Sequence, residues 1–326
     1  MSKAIRTVPL HTKIYVAGDR GMVGSAIVRR LKGGGYSNVL TAPRNSLDLC
    51  NQNAVTAFLR QEIPDYIVCA AARVGGIQAN SSRPAEFLYE NLLIEANLVH
   101  GAKLAGTTRM LFLGSSCIYP RDCPQPIRED YLLTGPLEPT NEAYAIAKIA
   151  GIKLCEAYNT QYKTSYVSVM PTNLYGPNDN YDLVGSHVLP ALLRRTHEAK
   201  VRGDKELTIW GTGRPLREFL HVDDLADACV FLMERDYSGG ILNIGTGKEL
   251  SIGELAKLIA RIVGYSGELD FDTSKPDGTP RKLLDVGRLS ALGWTARISL
   301  EIGIRETYAD FLATMGTLRG IGTAQT

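Results

Sequence analysis

A chain of 326 residues, 44% hydrophobic and 21% charged, can bury one or two substantial cores and is too long for a small module. Its 36 basic residues nearly balance 34 acidic ones, so no global field favours nucleic acid or an anionic membrane, and any anion site must be local. No apolar run approaches the roughly 20 residues of a membrane span, and MSKAIRTVPLHTK lacks the apolar stretch of a signal peptide, so a cytoplasmic location is expected. In chain order, KIYVAG, NVLTA, DYIVCAAA, RMLFLGSS and SYVSVMPTNLYG read as apolar strands. Between them SAIVRRLKG, NAVTAFLRQ, PAEFLYENLLIEANLVHGAKLAG and AYAIAKIAGIKLCEAYNTQY read as helices. Strands apolar on both faces and separated by helices predict an α/β fold with a doubly wound parallel sheet. The helix over about 85–104 places Leu88, Leu92 and Val99 on one side and Ile94 and Leu98 on another, enough apolar surface for the sheet and for a partner chain.

Beyond Pro177 the pattern is less regular, although RPLREFLHVDDLADACVFLME and GILNIGTG still look like core elements. The expected division is a cofactor-binding domain of residues 1–178 plus about 218–247, and a smaller, discontinuous C-terminal substrate lobe of 179–217 and 248–326. The Gly- and Ala-rich tail after Met315 is expected to fray. Six scattered cysteines, Cys50, Cys69, Cys117, Cys123, Cys155 and Cys229, show neither paired metal spacing nor the density of a disulfide scaffold, and read as reduced thiols with no metal.

In YVAGDRGMVGSAIVRRL, Gly18, Gly21 and Gly24 fall at a strand-to-helix turn with G-x-x-G-x-x-G spacing. Absent side chains let backbone approach a pyrophosphate, and the helix N-terminus that follows offers amide donors and a positive dipole end. The sheet is then of Rossmann type. An enzyme using NAD usually carries an acidic residue about 20 positions on, for the ribose hydroxyls. Here LTAPRNSLDL puts Arg44 there, and Arg20 lies in the glycine loop. Two guanidinium groups suit a 2′-phosphate, so NADP is the expected cofactor. The ordinary alternative is that Arg44 points to solvent.

Tyr144 and Lys148 in NEAYAIAKIAG are four apart and share a helix face, and Ser115 ends a strand in LGSSCIYP. Together they suit proton exchange at a carbonyl oxygen: Tyr144 as acid or base, Lys148 to lower its pKa and hold the nicotinamide ribose, Ser115 to hydrogen-bond the same oxygen. A phenol at pKa ~10 needs an adjacent cation to serve near neutrality.

At these residues, and through TNLYGP and REFLHVDDLADA, the chain resembles the extended short-chain dehydrogenase/reductase family. GDRGMVGSAI, AARVGGIQAN, FLGSSCIYP, NEAYAIAKIAG, DLVGSHVLPALLRR and KPDGTPRKLLD resemble in particular its members that invert C3 and C5 of GDP-4-keto-6-deoxy-D-mannose and reduce C4. Asp19 departs from the histidine expected in that glycine loop. A C4 ketone acidifies the protons on C3 and C5, so inversion needs one group to remove a proton and another to return it on the opposite face. The resemblance assigns these roles to Cys117 and His187, whose ordinary pKa values, ~8.5 and ~6.5, bracket neutrality. Without it, Cys117 would read as a small buried hydrophobe and His187 in GSHVLP as structural. The resemblance also implies that Met22, Val23, Leu113, Gly114, Pro171, Asn173, Leu174 and His187 line the cofactor. Arg195, Trp210, Arg217, Asp277 and Lys282 would line the GDP-sugar, and the chain would be a homodimer. The nearest alternatives are a cofactor-recycling 4-epimerase and a 4,6-dehydratase, against which Cys117 weighs. A Rossmann protein that senses dinucleotide without turnover is the alternative of another class.

Overall fold

The computed structural model describes residues 8–183, 185–275 and 277–322; most of the N-terminal stretch read for a signal peptide lies outside them. The first half alternates β1 (Ile14–Ala17), α1 (Met22–Gly33), β2 (Val39–Thr41), α2 (Gln52–Glu62) and β3 (Tyr66–Cys69). It continues with α3 (Ile77–Ser82), α4 (Pro84–Ala105), β4 (Arg109–Leu113), α5 (Glu142–Tyr162), β5 (Ser165–Pro171) and β6 (Asn173–Tyr175). The second half holds α6 (Val188–Arg202), β7 (Glu206–Trp210), β8 (Leu216–His221), α7 (Val222–Glu234), β9 (Leu242–Ile244) and β10 (Glu249–Ser251). It ends with α8 (Ile252–Val263), β11 (Glu268–Asp272), β12 (Arg281–Lys282), α9 (Gly287–Ala291) and α10 (Leu300–Gly322). The last helix extends past Met315 to Gly322, and residues 323–326 of the tail expected to fray lie outside the described residues.

Six strands form one parallel sheet in the order β2-β1-β3-β4-β5-β9. Side chains alternate across it: Ile14 and Val16 join a core with Ile27, Leu31 and Leu225, while Tyr15 and Ala17 join one with Leu59, Leu98 and Ile152. Both faces are covered, which is why the strands read as continuous apolar runs. From β1 the chain turns one way to β2 and then crosses back to β3, and the crevice at such a reversal, beyond the carboxyl ends of the strands, is where this architecture takes its ligand. Gly18 and Thr172 directly follow β1 and β5, and Ser115 comes two residues after β4.

β8 sits outside that sheet, paired with β10, β12 and β6, while β7 pairs with β11. Leu216–His221 and Asn173–Tyr175 thus build the smaller sheet, and Leu242–Ile244 closes the large one. Acids of HVDDLADA dock α7: Asp223 pairs with Arg29 at 2.7 Å, Asp227 with Arg30 at 2.8 Å, and Asp224 accepts from the N–H groups of Arg297 and Ile298. Glu218, fully buried, accepts from the N–H groups of Thr246 (2.6 Å), Gly247 (2.7 Å) and Leu284 (3.0 Å), tying β8 to the turn after β9 and to the strand region after β12. Val99 of α4 is buried with Val55 and Leu59, so the outer apolar face expected there is carried by Tyr89 and Leu92, with Ile146 on α5.

Candidate active site

The glycine turn has the shape a diphosphate needs. Gly18 has φ +87°, and a Cβ on it would lie 2.7 Å from the Ala71 nitrogen; a Cβ on Gly24 would lie 2.1 Å from the Gly18 oxygen. Only glycine keeps this loop flat and close to α1. Gly21 precedes α1 with no side-chain cap, so the first-turn N–H groups of Met22 and Val23 face outward without an internal acceptor from a capping side chain. Arg20 is exposed, and Arg44 is 83% exposed at the end of β2 with a loose pairing to Glu90 at 3.9 Å. Both guanidiniums are free to turn towards an anion at this edge. Asn173 is engaged in donating to the Glu218 carbonyl at 2.8 Å, and Pro171 and Leu174 flank the end of β5 beside it.

Ser115 follows β4, and its hydroxyl accepts from the Cys117 N–H at 3.2 Å, opening a short 3₁₀ turn that presents the thiol. Tyr144 lies in the first turns of α5, near enough to Ser115 for that hydroxyl to act on its phenol. Burial pushes the phenol up to about 12, opposed by the Lys148 charge and the Ser115 hydrogen bond and reinforced by the neighbouring Cys117 and Glu95. The Lys148 ammonium donates to the Leu113 carbonyl at 2.9 Å and stands 5.9 Å from the Tyr144 ring. Gly114 is pinned to β5 by its N–H to the Val169 carbonyl.

Cys117 is half-buried and its Sγ receives two donors, Asn141 Nδ2 at 3.4 Å and Lys282 Nζ at 3.6 Å. Lys282, which the resemblance places along the GDP-sugar, is carried by β12 to the thiol. His187 immediately precedes α6, and desolvation by the surrounding protein, together with the Lys282 charge, holds the imidazole below the usual value. Lys282 thus touches the electrostatics of both proton-carrying candidates. Sequence reasoning missed Asn141, three positions before Tyr144, since an asparagine opening a helix reads as a cap; only the packing of α5 on the Ser115 turn reveals the contact.

The remaining residues gather on the smaller sheets. Trp210 ends β7 with its indole 60% exposed and Lys275 5.8 Å from the ring. Asp277 accepts from the Thr212 N–H at 2.6 Å and hydroxyl at 2.8 Å, fixing the loop after Trp210, and its charge offsets the burial that lowers Arg217. Arg195 donates from α6 to the Thr208 carbonyl of β7 at 2.5 Å. An open aromatic face beside two arginines suits an anionic, base-bearing ligand.

Residues 14–245 match the model of the NAD dependent epimerase/dehydratase family. The chain belongs to this family of nicotinamide-dependent enzymes. It is similar to GDP-L-fucose synthase 1 of Arabidopsis thaliana, 58% identical over 92% of this chain and 93% of that one. It is also similar to the GDP-L-fucose synthase of Escherichia coli (strain K12), 52% identical over 94% of this chain and 99% of the relative. Among solved structures, a GDP-mannoheptose C4 reductase from Campylobacter jejuni with NADP bound superposes with a TM-score of 0.87 at 39% identity, covering 94% of this chain and 99% of its own. Membership of the epimerase/dehydratase family agrees with the Rossmann sheet, the glycine turn and the Ser115, Tyr144, Lys148 cluster.

Proposed function

We propose that this chain converts GDP-4-keto-6-deoxy-D-mannose to GDP-L-fucose, inverting C3 and C5 and reducing C4 with NADPH. What carries the reading is that one turn after β4 serves two chemistries: Ser115 stands by Tyr144, and two residues further on Cys117 faces Asn141 and Lys282. That the Arabidopsis and E. coli relatives are GDP-L-fucose synthases, and that the Campylobacter reductase holds NADP, supports the substrate and cofactor. Arg20 and Arg44, exposed beside the glycine turn, support a 2′-phosphate.

NADPH, when bound, supplies the hydride for C4. Tyr144 gives its proton to the C4 oxygen; a phenol held near 12 stays protonated and ready to donate across the neutral range, and Ser115 steadies the oxygen. The Lys148 charge stabilises the phenolate left behind. Before that step the C4 carbonyl acidifies C3 and C5, and Cys117 and His187 remove and return protons on opposite faces. Asn141 and Lys282 hold the sulfur in place. Trp210 offers its face to the guanine, with Arg195 and Arg217 as donors for the diphosphate and Asp277 fixing the loop that follows Trp210. Two such chains form a homodimer in this reading.

Given GDP-4-keto-6-deoxy-D-mannose and NADPH, the protein should oxidise the nicotinamide and yield a sugar whose NMR couplings report inversion at C3 and C5. Reduction without inversion, or no oxidation with this sugar while another 4-keto nucleotide sugar is turned over, overturns the proposal.

A further inference from the structure

Helices α4 and α5 pack along each other, and their seam holds a carboxylate that the chemistry above leaves unused. Glu95 Oε1 lies 3.0 Å from the Lys148 ammonium, and both side chains are only 2% exposed. Among the described residues neither oxygen of Glu95 has a conventional hydrogen-bond partner, so the ion pair is its compensation. The site is shaped for it. Gly151 lies one turn beyond Lys148, and a Cβ there would come within 2.5 Å of both Glu95 Oε2 and the tip of the Phe112 ring. The same Phe112 ring lies 4.9 Å from the ammonium. The Lys148 head is thus held from several directions: carboxylate, Leu113 carbonyl, Phe112 ring and, at 5.9 Å, the Tyr144 ring.

A buried ion pair is a costly way to join two helices, since apolar residues of similar volume are often as stabilising. Its retention beside a catalytic lysine calls for a functional reason. Burial by itself would strip the proton from Lys148; Glu95 reverses that and raises the ammonium's pKa, with Tyr144 and Cys69 adding to it. The other titratable groups facing the pair are Cys69 of β3, pushed up to about 12 by burial, and Cys155 of α5, pushed up the same way. Both are neutral thiols across the working range, which leaves Glu95 as the negative charge that sets the state of Lys148.

We propose that Glu95 is a positioning residue for the reduction, holding the Lys148 ammonium between the Leu113 carbonyl and Tyr144. This rests on the reading of Ser115, Tyr144 and Lys148 as the reducing centre. Without the carboxylate, Lys148 loses its proton at a lower pH, and Tyr144 loses the cation that stabilises its phenolate.

The test is Glu95→Gln, comparing NADPH oxidation across pH with exchange of the C3 and C5 protons into deuterated water. Expected are a reductive kcat lowered about tenfold or more at neutral pH, a basic limb of its pH profile displaced to lower pH, and proton exchange within about twofold of the unaltered protein. Adding Glu95→Gln to Lys148→Met should change the residual reduction and its profile no further. Should Gln prevent folding, Glu95→Asp keeps the charge but withdraws it by one methylene, and its basic limb should move part of the way in the same direction. A folded variant with an unmoved basic limb, or one that loses exchange and reduction equally, overturns the proposal. Failure of the unaltered protein to reduce the sugar would instead defeat the proposed function.

Discussion

Lys282 Nζ stands 3.6 Å from Cys117 Sγ, although 165 residues separate them in the chain. The cation also depresses the imidazole of His187, so one side chain from the smaller sheet conditions both proton carriers. Replacing it with methionine should slow C3 and C5 exchange while leaving reduction of an already epimerised ketone within about threefold. The sign for His187 follows: a nearby positive charge disfavours imidazolium, so removing it lets the pKa rise towards ~6.5. Whichever way His187 moves its proton, the inflection in the exchange profile should shift to higher pH, and an unmoved inflection would show that Lys282 does not act on it.

Tyr144 and Cys117 divide the two half-reactions. Tyr144→Phe should lower reduction by about 10²-fold or more yet still exchange the sugar protons with deuterated water. Cys117→Ala should lose exchange at one or both carbons while reducing the unepimerised ketone to the wrong sugar. NMR of the ring distinguishes these products, and full exchange with normal product in Cys117→Ala would reduce the thiol to packing.

At the other end of the cleft, Arg44 is exposed and only loosely held by Glu90. NADPH should therefore bind more tightly than NADH, and Arg44→Ala should narrow the ratio by about tenfold, the weight of one charge-assisted phosphate contact. Titration of nicotinamide fluorescence with both cofactors measures it; equal affinities in the unaltered protein would refute it.

Glu218 satisfies three N–H groups from two separate segments, one buried and two part-buried. Glu218→Ala should cost on the order of 3 kcal/mol, since one buried and two part-buried donors would lose their acceptor. Glu218→Gln, which keeps one oxygen, should cost less. Denaturant midpoints of the two variants give the comparison, and an Ala variant as stable as the parent would mean that water replaces the carboxylate.

Tyr89, Leu92 and Ile146 leave apolar surface open on α4 and α5. A homodimer through these helices should dissociate when Leu92 and Ile146 are both changed to glutamate, because the new charges would be desolvated at the interface. Sedimentation at micromolar concentration should then fall to the 35.5 kDa of one chain. A monomeric parent protein would refute the assembly.

The sequence by itself determined the features whose information is local. Glycine spacing fixes a turn because only a residue without Cβ fits at Gly18 and Gly24, and the four-residue separation of Tyr144 and Lys148 puts them on one face of any helix. Periodicity likewise separated two-sided strands from amphipathic helices. The tertiary structure alone decided the partners that come from far away. Glu95 could be singled out only as a charge inside the apolar run NLLIEANLV, with nothing to say that α4 would lay it against Lys148. The resemblance sets Lys282 along the GDP-sugar, but its contact with Cys117 exists only because β12 pairs beside β8, and Glu218 meets Leu284 through the same arrangement. Propensity and period act over a helical turn or a strand, whereas the energy of these contacts depends on which elements stack together, a property of the whole packed chain.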